Sequence, residues 1–349
     1  MIRIGIICPS EIALRRFMPA LKKVEKGIVF VGIGYASPKE WFGNLNNISR
    51  INIIEQQERE RSKAQAFIDA YGGRIYESYQ ELIESTEVDA IYLPLPPALH
   101  YYWAKLALEN GKHVFIEKPS TTCIEHTDNL ISIAAHKGLA LHENYMFLYH
   151  NQIKELDKIV HSGEIGDVRL IRLNFGFPKR QANDFRYNKE LGGGALLDAG
   201  GYCLKYANYL LGGNSKVAVA HLNNISGFDV DIFGSATLVN QEDQVVQLAF
   251  GMDNDYKCDV EFWGSKGTII ANRIFTAPTD FIPTYTIKKN QEIETHPLPA
   301  DDAFMKSICH FIRCVQNAKE REENYKILHE QESLLEEFRR KLANSKSEQ

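Results

Sequence analysis

The chain reads as an α/β protein in two parts, an N-terminal doubly wound parallel sheet and a C-terminal α+β domain with an open, mostly antiparallel sheet. Three observations predict this. At 349 residues the chain exceeds the length over which one hydrophobic core usually keeps growing. Its first third alternates short apolar runs with helical stretches, the pattern of βαβ units. From Lys216 to about Ile287 the chain is instead mostly strand. The expected division is 1–121 and 122–349.

The elements follow in order. Ile2–Ile7 is an unbroken apolar run and reads as a buried first strand, followed by a helix over Ile12–Lys23 with Leu14, Phe17, Met18 and Leu21 on one face. The second strand is Val29–Tyr35. The segment from Pro38 to about Glu58, with Trp41, Asn44, Asn46 and Asn47, is polar and reads as an irregular connection before a helix at Arg61–Tyr71. Next come a helix near Tyr79–Ser85, a strand at Ala90–Pro94, a helix at Tyr101–Asn110 and a strand at His113–Ile116. A helix over Ile124–Lys137 leads to an apolar run at Gly138–His142. The pattern then changes: after helix Gln152–His161, Val168–Phe177 alternates as a half-exposed antiparallel strand does. Strands at Val217–Leu222, Ser235–Val239, Val245–Phe250, Cys258–Trp263 and Thr268–Ala271 precede a helical tail from about Asp302 to Lys346.

Composition excludes several classes. Hydrophobic residues are 44% and charged residues 24%, an ordinary globular balance, and the net charge of -5 offers no surface built for nucleic acid or anionic lipid. No apolar stretch approaches membrane-spanning length. Six cysteines without a C-x-x-C pair and eleven histidines without ligand spacing give no zinc or redox motif, so no metal is expected and a reducing cytoplasm fits.

In a doubly wound sheet, ligands bind beyond the carboxyl ends of the strands. The first such turn, Ile7-Cys8-Pro9-Ser10-Glu11-Ile12, has Cys8 and Ser10 where glycines would let the backbone approach a pyrophosphate, so the phosphate signal is degenerate. Ser37 follows the second strand with no acid immediately after it to take a ribose hydroxyl. Leu95, Pro96 and His100 lie in the rigid turn after the Ala90 strand. Glu117-Lys118-Pro119 ends the next strand, which aims Lys118 at the ligand crevice. Gly192-Gly193-Gly194 precedes Asp198 and Tyr202, an acid and a phenol four residues apart that share a face if a helix begins near Ala195. Taken alone, this run reads equally as a buried helix start with Asp198 as a structural acid.

Together these motifs resemble the Gfo/Idh/MocA oxidoreductases over nearly the whole chain, from Ile4 to about Ser333. The carriers are Glu117-Lys118-Pro119, Glu143-Asn144-Tyr145-Met146-Phe147 with Tyr149-His150, Gly163-Glu164-Ile165-Gly166, Arg186, Gly192–Tyr202 and Gly264-Ser265-Lys266-Gly267. The resemblance implies a Rossmann domain for NAD or NADP, held by Cys8, Ser10, Glu11, Ile12, Ser37, Leu95, Pro96, His100, Glu117, Lys118 and Asn144. It implies catalysis by Lys118, Asp198 and Tyr202, with Tyr149 and Arg186 as further substrate contacts. A phenol titrates near about 10 when unperturbed, and a nearby ammonium brings its proton closer to a useful affinity. The implied substrate is a sugar hydroxyl or ketone, most plausibly nucleotide-linked, with a free sugar or polyol as the alternative; the implied assembly is a homodimer or homotetramer through the C-terminal sheet. A non-catalytic binding protein that has lost its dinucleotide is the contrasting reading, favoured by the degenerate turn.

Overall fold

Six parallel strands form the first sheet in the order β3-β2-β1-β4-β5-β6, with β1 (Ile2–Ile7) at its centre. Ile4, Ile6 and Ile7 are fully buried there, because a parallel strand is covered on both faces. The chain leaves β1 through a wide π-helical turn, Ala13–Phe17, into α1 (Met18–Lys22) and returns as β2 (Ile28–Gly34). Phe17 from that turn stacks on Tyr92 at 3.8 Å between ring centres and meets Phe115 edge-on, fixing the helix to the sheet. Burying each such ring is worth about 2 to 3 kcal/mol.

The computed structural model describes residues 1–46, 48–213 and 215–347, so Asn47 lies outside the described part. The segment expected to be irregular is largely helical. It contains α2 (Pro38–Phe42), and α3 (Arg50–Tyr71) begins eleven residues before the expected Arg61. The reason is visible in its buried face: Gln56, Glu60, Ala64 and Phe67 keep helical spacing, but the first two are polar and carry no hydrophobic signal. A short strand that was not expected, β3 (Arg74–Tyr76), follows and pairs with β2. Then come α4 (Tyr79–Glu84), β4 (Ala90–Leu93), α5 (Pro97–Glu109), β5 (His113–Ile116), α6 (Ile124–Lys137) and β6 (Leu141–Glu143).

The second sheet has eight strands, ordered β14-β13-β12-β11-β7-β10-β9-β8. After α7 (Asn151–His161) and β7 (Val168–Gly176), the chain passes two short 3-10 turns and reaches α8 (Gly201–Leu210). It then lays down β8 (Lys216–Asn223), β9 (Phe233–Val239), β10 (Val245–Gly251), β11 (Lys257–Gly264) and β12 (Thr268–Asn272). An unexpected hairpin of β13 (Thr284–Lys289) and β14 (Glu292–Pro297) completes the edge. Only the β7–β10 pair is parallel, so the sheet is mostly antiparallel, as expected. The tail breaks into α9 (Ala303–Gln316) and α10 (Ala318–Ser347).

These elements form two compact units that interleave along the chain. The first is Met1–Thr121, Glu125–Asn144 and Ser307–Leu328; the second is Thr122–Ile124, Tyr145–Lys306 and His329–Gln349. Each has its own core. Among the described residues no helix is long and apolar enough to cross a membrane, and no group of three or more His, Cys, Asp or Glu side chains can hold a metal ion.

Candidate active site

In the first unit the strand order reverses at β1 and β4, which places the turns after these strands at the switch point where α/β sheets take ligands. After β1, Cys8 holds a φ of 76°, the left-handed conformation that glycine adopts most easily. The backbone there thus adopts a glycine-like conformation although the residue is not glycine. Ser10 Oγ accepts from the Ala13 amide at 3.3 Å, while Glu11 and Ile12 are exposed at the start of the helix. Burial pushes the Cys8 thiol up to about 11, with the Tyr79 hydroxyl opposing, so it stays protonated.

After β2, Ser37 caps α2. Its amide donates to Glu40 Oε2 at 2.8 Å, and the Glu40 carboxylate also accepts from the Tyr79 and Gln80 amides at the start of α4. The acid nearest the end of β2 is therefore occupied by backbone. After β4, Leu95 and Pro96 form the turn, and His100 lies fully buried behind it. Its ring nitrogens face the carbonyls of Leu95, at 2.7 Å, and Pro119, at 2.8 Å. Burial pushes this imidazole down to about 4 against those two carbonyl contacts, and the Lys118 charge acts in the same direction as burial. His100 thus ties the turns after β4 and β5 together and, with its pKa pushed down to about 4, is neutral at physiological pH.

β5 ends in Glu117 and the half-buried Lys118, whose peptide to Pro119 is cis. The Glu117 carboxylate is buried, and its Oε1 accepts from Tyr92 OH at 2.7 Å and from Asn144 Nδ2 at 2.8 Å. Burial raises its pKa, and those two hydrogen bonds and the Lys118 charge pull it back. Asn144 is wholly buried and faces Glu117.

The second unit carries the remaining candidates. A helix does begin at Ala195, with a π-helical first turn over Leu196–Gly200 that contains Asp198, and α8 continues through Tyr202. The glycine cluster has a steric cause. A Cβ on Gly194, which has a φ of 122°, would lie 2.5 Å from Asp231 Oδ1, and one on Gly193 would collide with the Arg186 carbonyl. Asp231 in turn accepts from the Leu196 amide at 2.6 Å and holds the helix start. Arg186 Nε donates to Asp198 Oδ2 at 2.7 Å, and its Nη1 reaches Asp184 at 3.2 Å. Burial opposes the guanidinium charge, but the Asp198 and Asp184 carboxylates outweigh it and raise the Arg186 pKa.

Tyr202 is buried in an aromatic box with Tyr145, Phe175 and Phe275 at 5.2, 5.3 and 5.8 Å between ring centres. Tyr149 is half-buried at the end of the turn Met146–Tyr149. Sequence reasoning missed Lys205, which is buried three residues beyond Tyr202 with its Nζ 5.5 Å from the Tyr145 ring centre. A lysine inside the otherwise apolar stretch Tyr202-Cys203-Leu204-Lys205-Tyr206 was the available signal. Asp184 and Asp231 were missed as well, and nothing in local spacing marks them.

A family model described as an oxidoreductase family with an NAD-binding Rossmann fold matches residues 26–145, and one described as a GFO/IDH/MocA C-terminal domain matches residues 153–270. The chain is 36% identical over 314 residues to dTDP-3,4-didehydro-2,6-dideoxy-alpha-D-glucose 3-reductase of Actinomadura kijaniata, covering 90% of this chain and 87% of that one. The enzyme of the same name from Streptomyces violaceoruber is 35% identical over 318 residues, covering 91% and 86%. The crystal structure of the 3-ketoreductase from A. kijaniata in complex with NADP and TDP-benzene superposes with a TM-score of 0.86 at 35% identity over 97% of each chain. An aldose-aldose oxidoreductase from Caulobacter crescentus shares the fold, with a TM-score of 0.78 at 20% identity over 97% of this chain and 98% of that one.

Proposed function

Because the chain belongs to the Gfo/Idh/MocA oxidoreductase family, we propose that it is an NADP-dependent ketoreductase acting on a keto group of a thymidine-diphosphate-linked deoxysugar. The observation that carries this reading is the identity to the two 3-reductases over nine-tenths of the chain, together with a relative solved with NADP and a TDP compound. By role, residues 1–121, with Asn144, are assigned to the cofactor and the rest of 122–349 to substrate and assembly. The glycine-like backbone at Cys8, with small Ser10 beside it, suits a dinucleotide turn. Ser10, Glu11, Ile12, Ser37, Leu95, Pro96, Lys118 and Asn144 are the cofactor set, with Glu117 and His100 behind them. Ser37 with no acid directly after β2 favours the 2′-phosphate of NADP over the hydroxyl of NAD.

When bound, the reduced nicotinamide supplies the hydride. Lys118 polarises the substrate carbonyl and stabilises charge growing on its oxygen. Tyr202 donates the proton to that oxygen, general acid catalysis of a kind worth about 10²- to 10⁴-fold. Asp198, held by Arg186, is assigned with Arg186 and Tyr149 to the sugar. A lysine and a tyrosine are also the residues replaced in solved variants of the A. kijaniata relative, which supports looking to these residue types first. The half-exposed outer face of the second sheet is assigned to self-association, and the six thiols to a reducing cytoplasm.

The test is direct. Fluorescence titration is expected to show tight NADPH binding and weaker NADH binding; no binding of either at millimolar concentration overturns the enzyme reading. Lys118→Ala and Tyr202→Phe are each expected to lower kcat by about 10²-fold or more with the melting temperature retained. Full activity in both refutes the site.

A further inference from the structure

We propose that Ser307 and His142 are positioning residues for Lys118, acting through Asn144 and Glu117; the inference rests on the assignment of Lys118 to the reaction. All four relay residues lie in the first unit, and a run of hydrogen bonds joins them.

The chain of bonds has a fixed direction. Glu117 immediately precedes Lys118 at the end of β5, so the buried carboxylate that accepts from Tyr92 OH and Asn144 Nδ2 holds the chain at the point from which the lysine extends. Donation to Glu117 fixes the orientation of the Asn144 amide, whose Oδ1 is then an acceptor. Ser307 Oγ donates to it at 2.8 Å. With its only proton engaged there, Ser307 accepts from His142 Nε2 at 2.9 Å. On the far side, His142 Nδ1 faces Asn324 Oδ1 at 3.3 Å, and the Asn324 amide donates to the Leu141 carbonyl.

His142, Asn144 and Ser307 have no exposed surface, and Asn324 and Glu117 are nearly as buried. Five polar side chains in a core are a poor way to stabilise it, since apolar groups of the same shape would avoid their desolvation. What such a chain provides is orientation, and in a low dielectric each bond polarises the next. Loss of any one link therefore alters the hydrogen bonds that hold the Glu117 carboxylate beside Lys118.

Aromatic rings flank His142. Its ring faces Phe115 from β5 and His310 and Phe311 from α9, with the His310 ring centre 5.3 Å away. His310 itself faces Arg313, Cys314 and Glu320.

The experiment uses the full-length protein with its lysines labelled by reductive ¹³C-methylation, the Lys118 resonance being the one lost in Lys118→Arg. Ser307→Ala is expected to move that resonance and to lower kcat about 10-fold with KM changed less than about 2-fold, shifting the acid limb of the pH profile. His142→Leu is expected to do the same, and it decides the matter if the alanine variant does not fold. His142→Gln, which keeps a donor where Nε2 lies, is expected to restore both signals. A Lys118 resonance unmoved in the folded Ser307→Ala or His142→Leu protein overturns the proposal. Absence of ketosugar reduction by the wild type instead sinks the assigned activity, and the resonance still reports on the relay.

Discussion

Arg186 and Asp198 are separate candidates in the sequence and one object in the fold. Both side chains are largely buried, at 21% and 12% exposure, so removing the Asp198 charge leaves the Arg186 guanidinium with Asp184 as its only acid partner among those described. Asp198→Asn is expected to lower unfolding stability by about 2 kcal/mol in urea titration, whereas exposed pairs such as Arg15–Glu11 should give no measurable change. His100 makes a pH prediction. Its folded pKa of about 4 lies below the ordinary 6.5, so the unfolded chain binds the extra proton more readily between those values. Its contribution is full above 6.5 and is lost as pH falls toward 4, up to about 3 kcal/mol. Urea unfolding at pH 7.5 and 5.0 should therefore show a smaller loss for His100→Gln than for the wild type. The turn at Cys8 marks a limit of reading residues: the letter departs from glycine, while the φ of 76° does not. No sequence rule reports a backbone angle that a cysteine is made to adopt.

Elements were legible where burial and helical or strand period coincide. β1, β5 and α6 have the expected bounds because their apolar residues are uninterrupted or amphipathic. The first half of α3 was hidden because Gln56 and Glu60 occupy its inward face. The β13–β14 hairpin was hidden by its turn. Asn290 and Gln291 both have positive φ, at 52° and 70°, as a two-residue hairpin turn requires, but Asn-Gln lacks the glycine that usually announces one. Gln291→Gly is accordingly expected to stabilise the protein by about 0.5 to 1 kcal/mol, read as a higher midpoint in thermal melting. A destabilised variant would mean that the Gln291 side chain contributes more than its backbone conformation costs.

At the scale of the whole molecule, both sheets and the position of each candidate motif at a strand or helix end were legible, since local pattern locates such ends. Ion pairs and relays joining distant segments, such as Ser307 to Asn144, were not, because spacing carries no information across that separation. The assembly prediction belongs here. On the outer face of the second sheet, Trp263 and Val219 are each 50% exposed, and Arg172 stacks 5.4 Å from the Trp263 ring centre. If this face joins copies of the chain, light scattering should give a multiple of 39.7 kDa, and Trp263→Asp should reduce it to one chain. An unchanged mass in that variant removes this face from the assembly. Finally, the interleaving of the two units bears on biogenesis. The first unit includes Ser307–Leu328, so it lacks its last two helical segments until residue 328 has left the ribosome. The opening 144 residues must wait, with the polar groups of β6 uncovered, while the entire second sheet is synthesised, and this is the interval in which the nascent chain has most need of a chaperone.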